Sequence, residues 1–191
     1  MARRQKQPAI ILDRDGVLID RPLLTWRKSQ MKLSKGIAGE IKFFNEKKVP
    51  VIVITNQSVV ARGLISEKGV VNLHELLNKR LKKSGAHVDK FYFCPHHPSA
   101  NLKRYRVICQ CRKPKIGLFK KAVKELNLNL RKSVTIGDMT QDILAGKRAK
   151  TTTILIESGR GGRDYKFNTK PDYKVKNVIK ALRLARRLIK R

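Results

Sequence analysis

Acidic residues are scarce in this chain. Its 191 residues carry 14 Asp+Glu against 45 Lys+Arg, a formal net charge of +31. A field of that sign draws polyanions. It fits either a solvated, lysine-biased surface or a binding surface for RNA, DNA or an anionic membrane. Aromatic residues make up 6% and no nucleic-acid-binding motif is present, which counts against a dedicated nucleic-acid reader. Cysteine is nearly absent. The three present are an odd number in a chain read as lacking a signal, which argues against a disulfide framework. No apolar run approaches the roughly 20 residues of a membrane helix. The basic start Met1–Gln7 looks like the beginning of a signal peptide, but only Ala9–Leu12 follow before Asp13, too few for its apolar region. The expectation is a cytoplasmic monomer.

With 41% hydrophobic residues, the chain is long enough for one domain, 1–191, with a real core. Short apolar runs alternate with amphipathic stretches, the pattern of an α/β protein. Runs at Ala9–Leu12, Val51–Ile54, Val88–Phe93, Ser133–Ile136 and Thr151–Ile156 read as buried parallel strands, with a shorter one at Asp172–Val175. Helical spacing is present in 36–48, in the segment opened by Ser66, and in 116–126, 140–150 and 178–189. The last of these lies in a basic C-terminal helix, about 176–190. Val17–Ser34 has no period and reads as a loop or flap, whose Trp26 can stack on a substrate or plug the core. His74 sits beside an apolar stripe and is read as structural or exposed.

Four polar clusters follow strand ends or lie close beside them: Asp13/Asp15, Thr55/Asn56, Arg112/Lys113 and Asp138/Asp142. Taken alone, Asp13-x-Asp15-Gly16 can be no more than a β-turn. In a parallel sheet, however, all strand carboxyl ends share one edge, so the four clusters converge. Three acids with a lysine and a hydroxyl suit a divalent cation of the Mg²⁺ kind and a phosphate.

A second constellation gathers every cysteine. Cys94-x-His96 and Cys109-x-Cys111 offer three thiolates and an imidazole, a set that suits structural Zn²⁺; reduced cysteines buried in a loop are the other reading. The loop 94–111 runs straight into Arg112-Lys113, so a metal there would brace the lysine. His97 is read as a spare, not a ligand.

Asp13-x-Asp15-Gly16, Thr55, Lys113 and Gly137-Asp138-x₃-Asp142, in that order, resemble the haloacid dehalogenase (HAD) superfamily over about 8–176. The resemblance implies a Rossmannoid three-layer sandwich with a parallel sheet. It makes Asp13 the nucleophile that forms an aspartyl-phosphate, and Asp15 the general acid and then base. Asp13, the backbone carbonyl of Asp15, and Asp138 become Mg²⁺ ligands. Thr55, the backbone of Asn56, and Lys113 hold the phosphoryl group, with Asp142 in support. Only 42 positions separate Asp13 from Thr55, so the large cap found there in other members is absent.

The CPHHP segment, the 12 residues 97–108 between the ligand pairs and TNQSVVARG are similar to the heptose-1,7-bisphosphate 7-phosphatase subfamily. That likeness adds Gln57, Arg62 and Arg112, together with Asn56, as substrate contacts. It implies removal of the 7-phosphate from a small phosphorylated sugar. Histidinol phosphate and a 3′-phosphorylated nucleic-acid end are the alternatives, the latter because of the charge. The flap departs from that subfamily: Leu23, Leu24 and Trp26 stand where a Gly-Tyr-x-His signature is usual. Val17 replaces a common threonine, and Lys150 stands where a helix-ending glycine is usual.

Overall fold

A computed structural model describes residues 5–21 and 24–189. Pro22 and Leu23 of the flap, Met1–Arg4 and the two terminal residues lie outside the described residues. Six strands form one parallel sheet: β1 (Ile10–Leu12), β2 (Val51–Asn56), β3 (Lys90–Cys94), β4 (Val134–Gly137), β5 (Thr152–Ile156) and β6 (Tyr173–Val175). Their spatial order is β3-β2-β1-β4-β5-β6. In register, Ile10 lies beside Val51 on one side and Val134 on the other. The order therefore reverses at β1, and a crevice opens past the carboxyl ends of β1 and β4.

Strand alternation sorts the apolar side chains into two layers. Ile10, Leu12, Val51 and Val53 face α1 (Ile37–Glu46), α3 (Glu67–Lys82) and α6 (Val178–Leu188). Ala9, Ile11, Ile52 and Ile54 face α4 (Gly117–Leu126) and α5 (Thr140–Arg148). The result is the expected three-layer sandwich. Each fully buried Leu or Ile contributes about 1.5–3 kcal/mol, so these two layers carry much of the stability. Among the described residues, no helix is long and apolar enough to cross a membrane.

Helix limits follow local chemistry. Ser66 Oγ accepts the Gly69 N–H at the start of α3, and Asn177 Oδ1 accepts that of Lys180 at the start of α6. The terminal helix docks on the sheet: Val178, Ala181, Leu182 and Ala185 are buried, and Arg183 and Arg186 both reach Glu40 on α1. Ile179 is half-buried and packs against the same core. Lys150 adopts the left-handed conformation (φ 61°) despite its side chain.

Four features go beyond the sequence reading. A short helix, α2 (Ser58–Ala61), follows β2 directly. The base of the flap belongs to the core, for Val17, Leu18, Ile19 and Met31 are fully buried. Trp26 packs on the small Val59/Val60/Val70 cluster. His74 is buried, its ring stacked on Phe91 at 4.6 Å.

Candidate active site

Asp13 leaves β1 as the sheet ends, and its N–H donates to the Ile136 carbonyl of β4 at 3.0 Å. This places its side chain at the point where the strand order reverses. Lys113 arrives from the loop before α4. Its Nζ lies 2.8 Å from Asp13 Oδ1 and 2.7 Å from Asp142 Oδ1, and donates to the Ile54 carbonyl at 2.6 Å. Lys113 is buried, which alone would lower its pKa. Asp13 and Asp142 outweigh that and raise it, so the ammonium stays charged.

Asp138 ends β4 and is completely buried. Its Oδ2 accepts the Arg160 N–H at 2.7 Å, while Oδ1 has no hydrogen-bond partner among the described residues. Burial, then the charges of Asp142 and Asp13, push its carboxyl up to about 8. Burial also raises Asp142, against the pull of Lys113. Gly16 (φ 82°) and Gly159 (φ 70°) press on this carboxylate. A Cβ on either would sit 2.3 or 2.4 Å from Asp138 Oδ2. Both positions thus demand glycine, for conformation and for space.

One oxygen each from Asp13, Asp138 and Asp142 lie within 4.8 Å of one another. A buried carboxylate oxygen without a donor, beside two more acids, fits a hard divalent cation. Asp142 is also ion-paired to Lys113, which suits support of the lysine. The Asp15 side chain lies apart from that trio. Its carboxylate accepts from Arg14, from Thr25 Oγ1 at 2.5 Å and from Gln57 Nε2 at 2.9 Å. Burial raises its pKa, Arg14 opposes that, and Asp13 adds to it.

Thr55 is buried and receives Gln57 Nε2 at 2.8 Å. Gln57 therefore ties Asp15 to Thr55. The Asn56 amide pairs with the backbone of Lys113 in both directions: Oδ1 accepts its N–H at 2.9 Å and Nδ2 donates to its carbonyl at 3.1 Å. Asn56 and Gln57 line the crevice, yet their side chains hold its frame together. Arg112 also lines it and donates to the His96 carbonyl at 3.0 Å. Arg62 is exposed and stands outside the crevice wall, near Arg112 and His97. Burial, followed by the charges of Arg112, Arg62 and Lys166, lowers the His97 pKa.

The crevice holds about 200 Å³. Its far wall comes from residues that carried no sequence signal: Gln141 on α5, and Arg160 and Lys166 from the β5–β6 connection. Asp164 anchors that connection by accepting the Thr140 N–H at 2.8 Å and its hydroxyl at 2.7 Å. The Ser-Gly-Arg-Gly-Gly run of 158–162 marks a turn in sequence and says nothing of a role.

Cys94, His96, Cys109 and Cys111 meet at the end of β3. The Sγ atoms of Cys94, Cys109 and Cys111 lie 3.0–3.5 Å apart, and His96 Nδ1 is 3.3 Å from Cys111 Sγ. The sulfurs are too far apart for a disulfide. All four ligand atoms fall within 4.8 Å of one another, a closed Cys₃His donor set that fits zinc. The hydrogen bond between Cys94 and Cys111 lowers the Cys111 thiol, while Cys94 itself is held up by the same bond and by burial. His97 stays outside this group; its Nδ1 accepts the Ser99 N–H at 3.1 Å.

Comparison with known proteins agrees with this picture. A HAD-hydrolase-like family model matches residues 110–181. A D-glycero-β-D-manno-heptose-1,7-bisphosphate 7-phosphatase from Rhodopseudomonas palustris is 38% identical over 148 residues, 78% of this chain and 82% of the relative. The one from Pasteurella multocida is 38% identical over 157 residues, 80% of this chain and 83% of the relative. Among solved structures, a D,D-heptose 1,7-bisphosphate phosphatase from B. bronchiseptica, complexed with magnesium and phosphate, superposes with a TM-score of 0.81 at 24% identity. That match covers 95% of this chain and 99% of the other.

Proposed function

The chain belongs to the HAD-like family of heptose-1,7-bisphosphate 7-phosphatases, and from that premise we propose that it removes the 7-phosphate of D-glycero-D-manno-heptose 1,7-bisphosphate. The observation that carries the chemistry is the meeting of Asp13, Asp138, Asp142 and Lys113 around one unpartnered carboxylate oxygen at the β1/β4 crevice. It supports a phosphomonoester hydrolase with Asp13 as nucleophile.

In that reading Asp13 attacks phosphorus, the ester P–O bond breaks, and an aspartyl-phosphate forms. Asp15, whose proton is favoured by burial, donates it to the departing sugar oxygen. Asp15 then takes a proton from water as the water attacks phosphorus, which releases phosphate and regenerates Asp13. Lys113 and Thr55 hold the phosphoryl oxygens. Asp13, Asp138 and the backbone carbonyl of Asp15 would hold Mg²⁺, which when bound offsets the repulsion between carboxylate and phosphate. Cys94, His96, Cys109 and Cys111 would hold a structural Zn²⁺. Arg112, Arg160 and Lys166 surround the open side and suit an anionic sugar.

The test is phosphate release with Mg²⁺ from three substrates side by side: the heptose bisphosphate, histidinol phosphate and a 3′-phosphorylated DNA oligonucleotide. The expected result is the highest kcat/KM for the heptose bisphosphate, with release at background for Asp13→Asn and its fold retained. A higher kcat/KM for either other substrate would overturn the substrate assignment. Undiminished turnover by Asp13→Asn would overturn the nucleophile.

A further inference from the structure

Arg14 is the largest fully buried side chain among the described residues, and it is not part of the crevice lining. Its Nε donates to Asp15 Oδ1 and its Nη2 to Asp15 Oδ2, both at 3.0 Å, a bidentate fork on a carboxylate. Nη2 also reaches the Thr25 carbonyl at 3.0 Å and Thr25 Oγ1 at 2.5 Å. Nη1 lies 3.4 Å from His74 Nε2, its one hydrogen-bond partner among the described residues. Arginine cannot accept, so this ring nitrogen must carry its lone pair. His74 is suited to that role. It is buried on α3, stacked on Phe91 and edge-on to Phe93 at 5.7 Å. Burial, and then the Arg14 charge, depress its pKa to about 3, so the ring stays neutral.

We propose that Arg14, clamped by His74 from α3 and by Thr25 from the flap, is a positioning residue that aims the Asp15 carboxyl at the leaving-group oxygen. The proposal rests on Asp15 being the general acid. A guanidinium buried this deeply is costly unless each of its faces is paired. Three residues, Asp15, Thr25 and His74, supply those pairs, and the carboxylate it grips is the group that must move a proton. Removing the His74 acceptor frees Nη1 and loosens the fork. The flap enters the same arrangement, because Thr25 Oγ1 contacts both Arg14 and Asp15.

The experiment compares an alkyl phosphate, the heptose bisphosphate, with 4-nitrophenyl phosphate, whose leaving group needs no proton. kcat/KM is measured because it reports the step that breaks the ester bond. His74→Phe keeps a stacking ring but removes the acceptor; His74→Gln restores an accepting oxygen. The expected result is a loss of about tenfold or more on the alkyl phosphate for His74→Phe, part of the roughly 10²–10⁴ a general acid supplies. The aryl phosphate should lose less than about threefold, and His74→Gln should recover most of the alkyl activity. Thr25→Val should show the same split and decides the matter if His74→Phe does not fold. Asp15→Asn is the control. If Asp15→Asn discriminates between the substrates and the folded variants slow both equally, the positioning role is overturned. If Asp15→Asn does not discriminate, the general-acid reading falls and this proposal with it.

Discussion

His74 shows how much a single residue can hide. In sequence it is a histidine beside an apolar stripe, equally compatible with core or solvent. In the structure it is neutral, stacked and facing a buried guanidinium. Its folded pKa, about 3, lies below the unfolded value of 6.5. The unfolded chain therefore binds the proton more tightly, and the contribution of neutral His74 is complete above about pH 6.5. It is lost as pH falls towards 3. The expected outcome is an unfolding free energy that declines between pH 7 and 4, more steeply in the native protein than in His74→Phe, by an amount on the order of a few kcal/mol at the acid end. Parallel pH profiles for the two proteins would show that His74 is not the titrating group. Asp13, Asp15 and Asp138 could be brought to one edge because acids of that type follow strand ends; Lys113, on a loop, and Asp142, on α5, joined them through the order of the motifs. Thr25, Gly159 and Arg160 were not legible, because an irregular loop has no period to announce which side chain or N–H turns inward. Asn56 was picked out by the likeness of its segment to the heptose enzymes, and that likeness said nothing of the grip its side-chain amide takes on the Lys113 backbone.

At the scale of elements, the 94–111 loop joins two sites. Its last two donors precede Arg112 and Lys113, and Asn56 pins the same turn from β2. Changing Cys109→Ser should lower bound zinc from about one per chain, as read by metal analysis. It should also raise KM for substrate, because Lys113 loses part of its support. A native protein free of zinc would remove the element from the account. The strands were legible from their apolar runs, because residues buried on both faces leave no polar alternation. The helix α2 was not: four residues, Ser58–Ala61, are shorter than any window in which a 3.6-residue period can be seen. The flap was read correctly as a loop, but the burial of its base was not legible, for a related reason. Val17–Ile19 and Met31 are separate apolar fragments, and only tertiary packing joins them to the core.

For the whole molecule, the charge of +31 remains outside the catalytic account. Several cations border the crevice, and many others, such as Lys42 and Lys121, only pair with neighbouring acids on the surface. Salt separates a polyanion surface from a solvated one. Should the field bind an oligonucleotide through 6–10 phosphates, its affinity should fall about 10³–10⁵-fold between 50 and 200 mM salt. Hydrolysis of a small sugar phosphate, assayed over the same range, should change far less. A weak, salt-insensitive affinity would assign the charge to solvation.

The β5–β6 connection is secured to the framework chiefly by polar ties: the Arg160 N–H on Asp138, and Asp164 on Thr140. It carries Arg160 and Lys166 to the crevice but none of the reacting groups. Such a segment is a replaceable module. Lineages or engineers could exchange Lys166 and its neighbours while keeping Asp164, and so redirect which phosphate ester is accepted, leaving the hydrolytic apparatus and the sheet beneath it untouched.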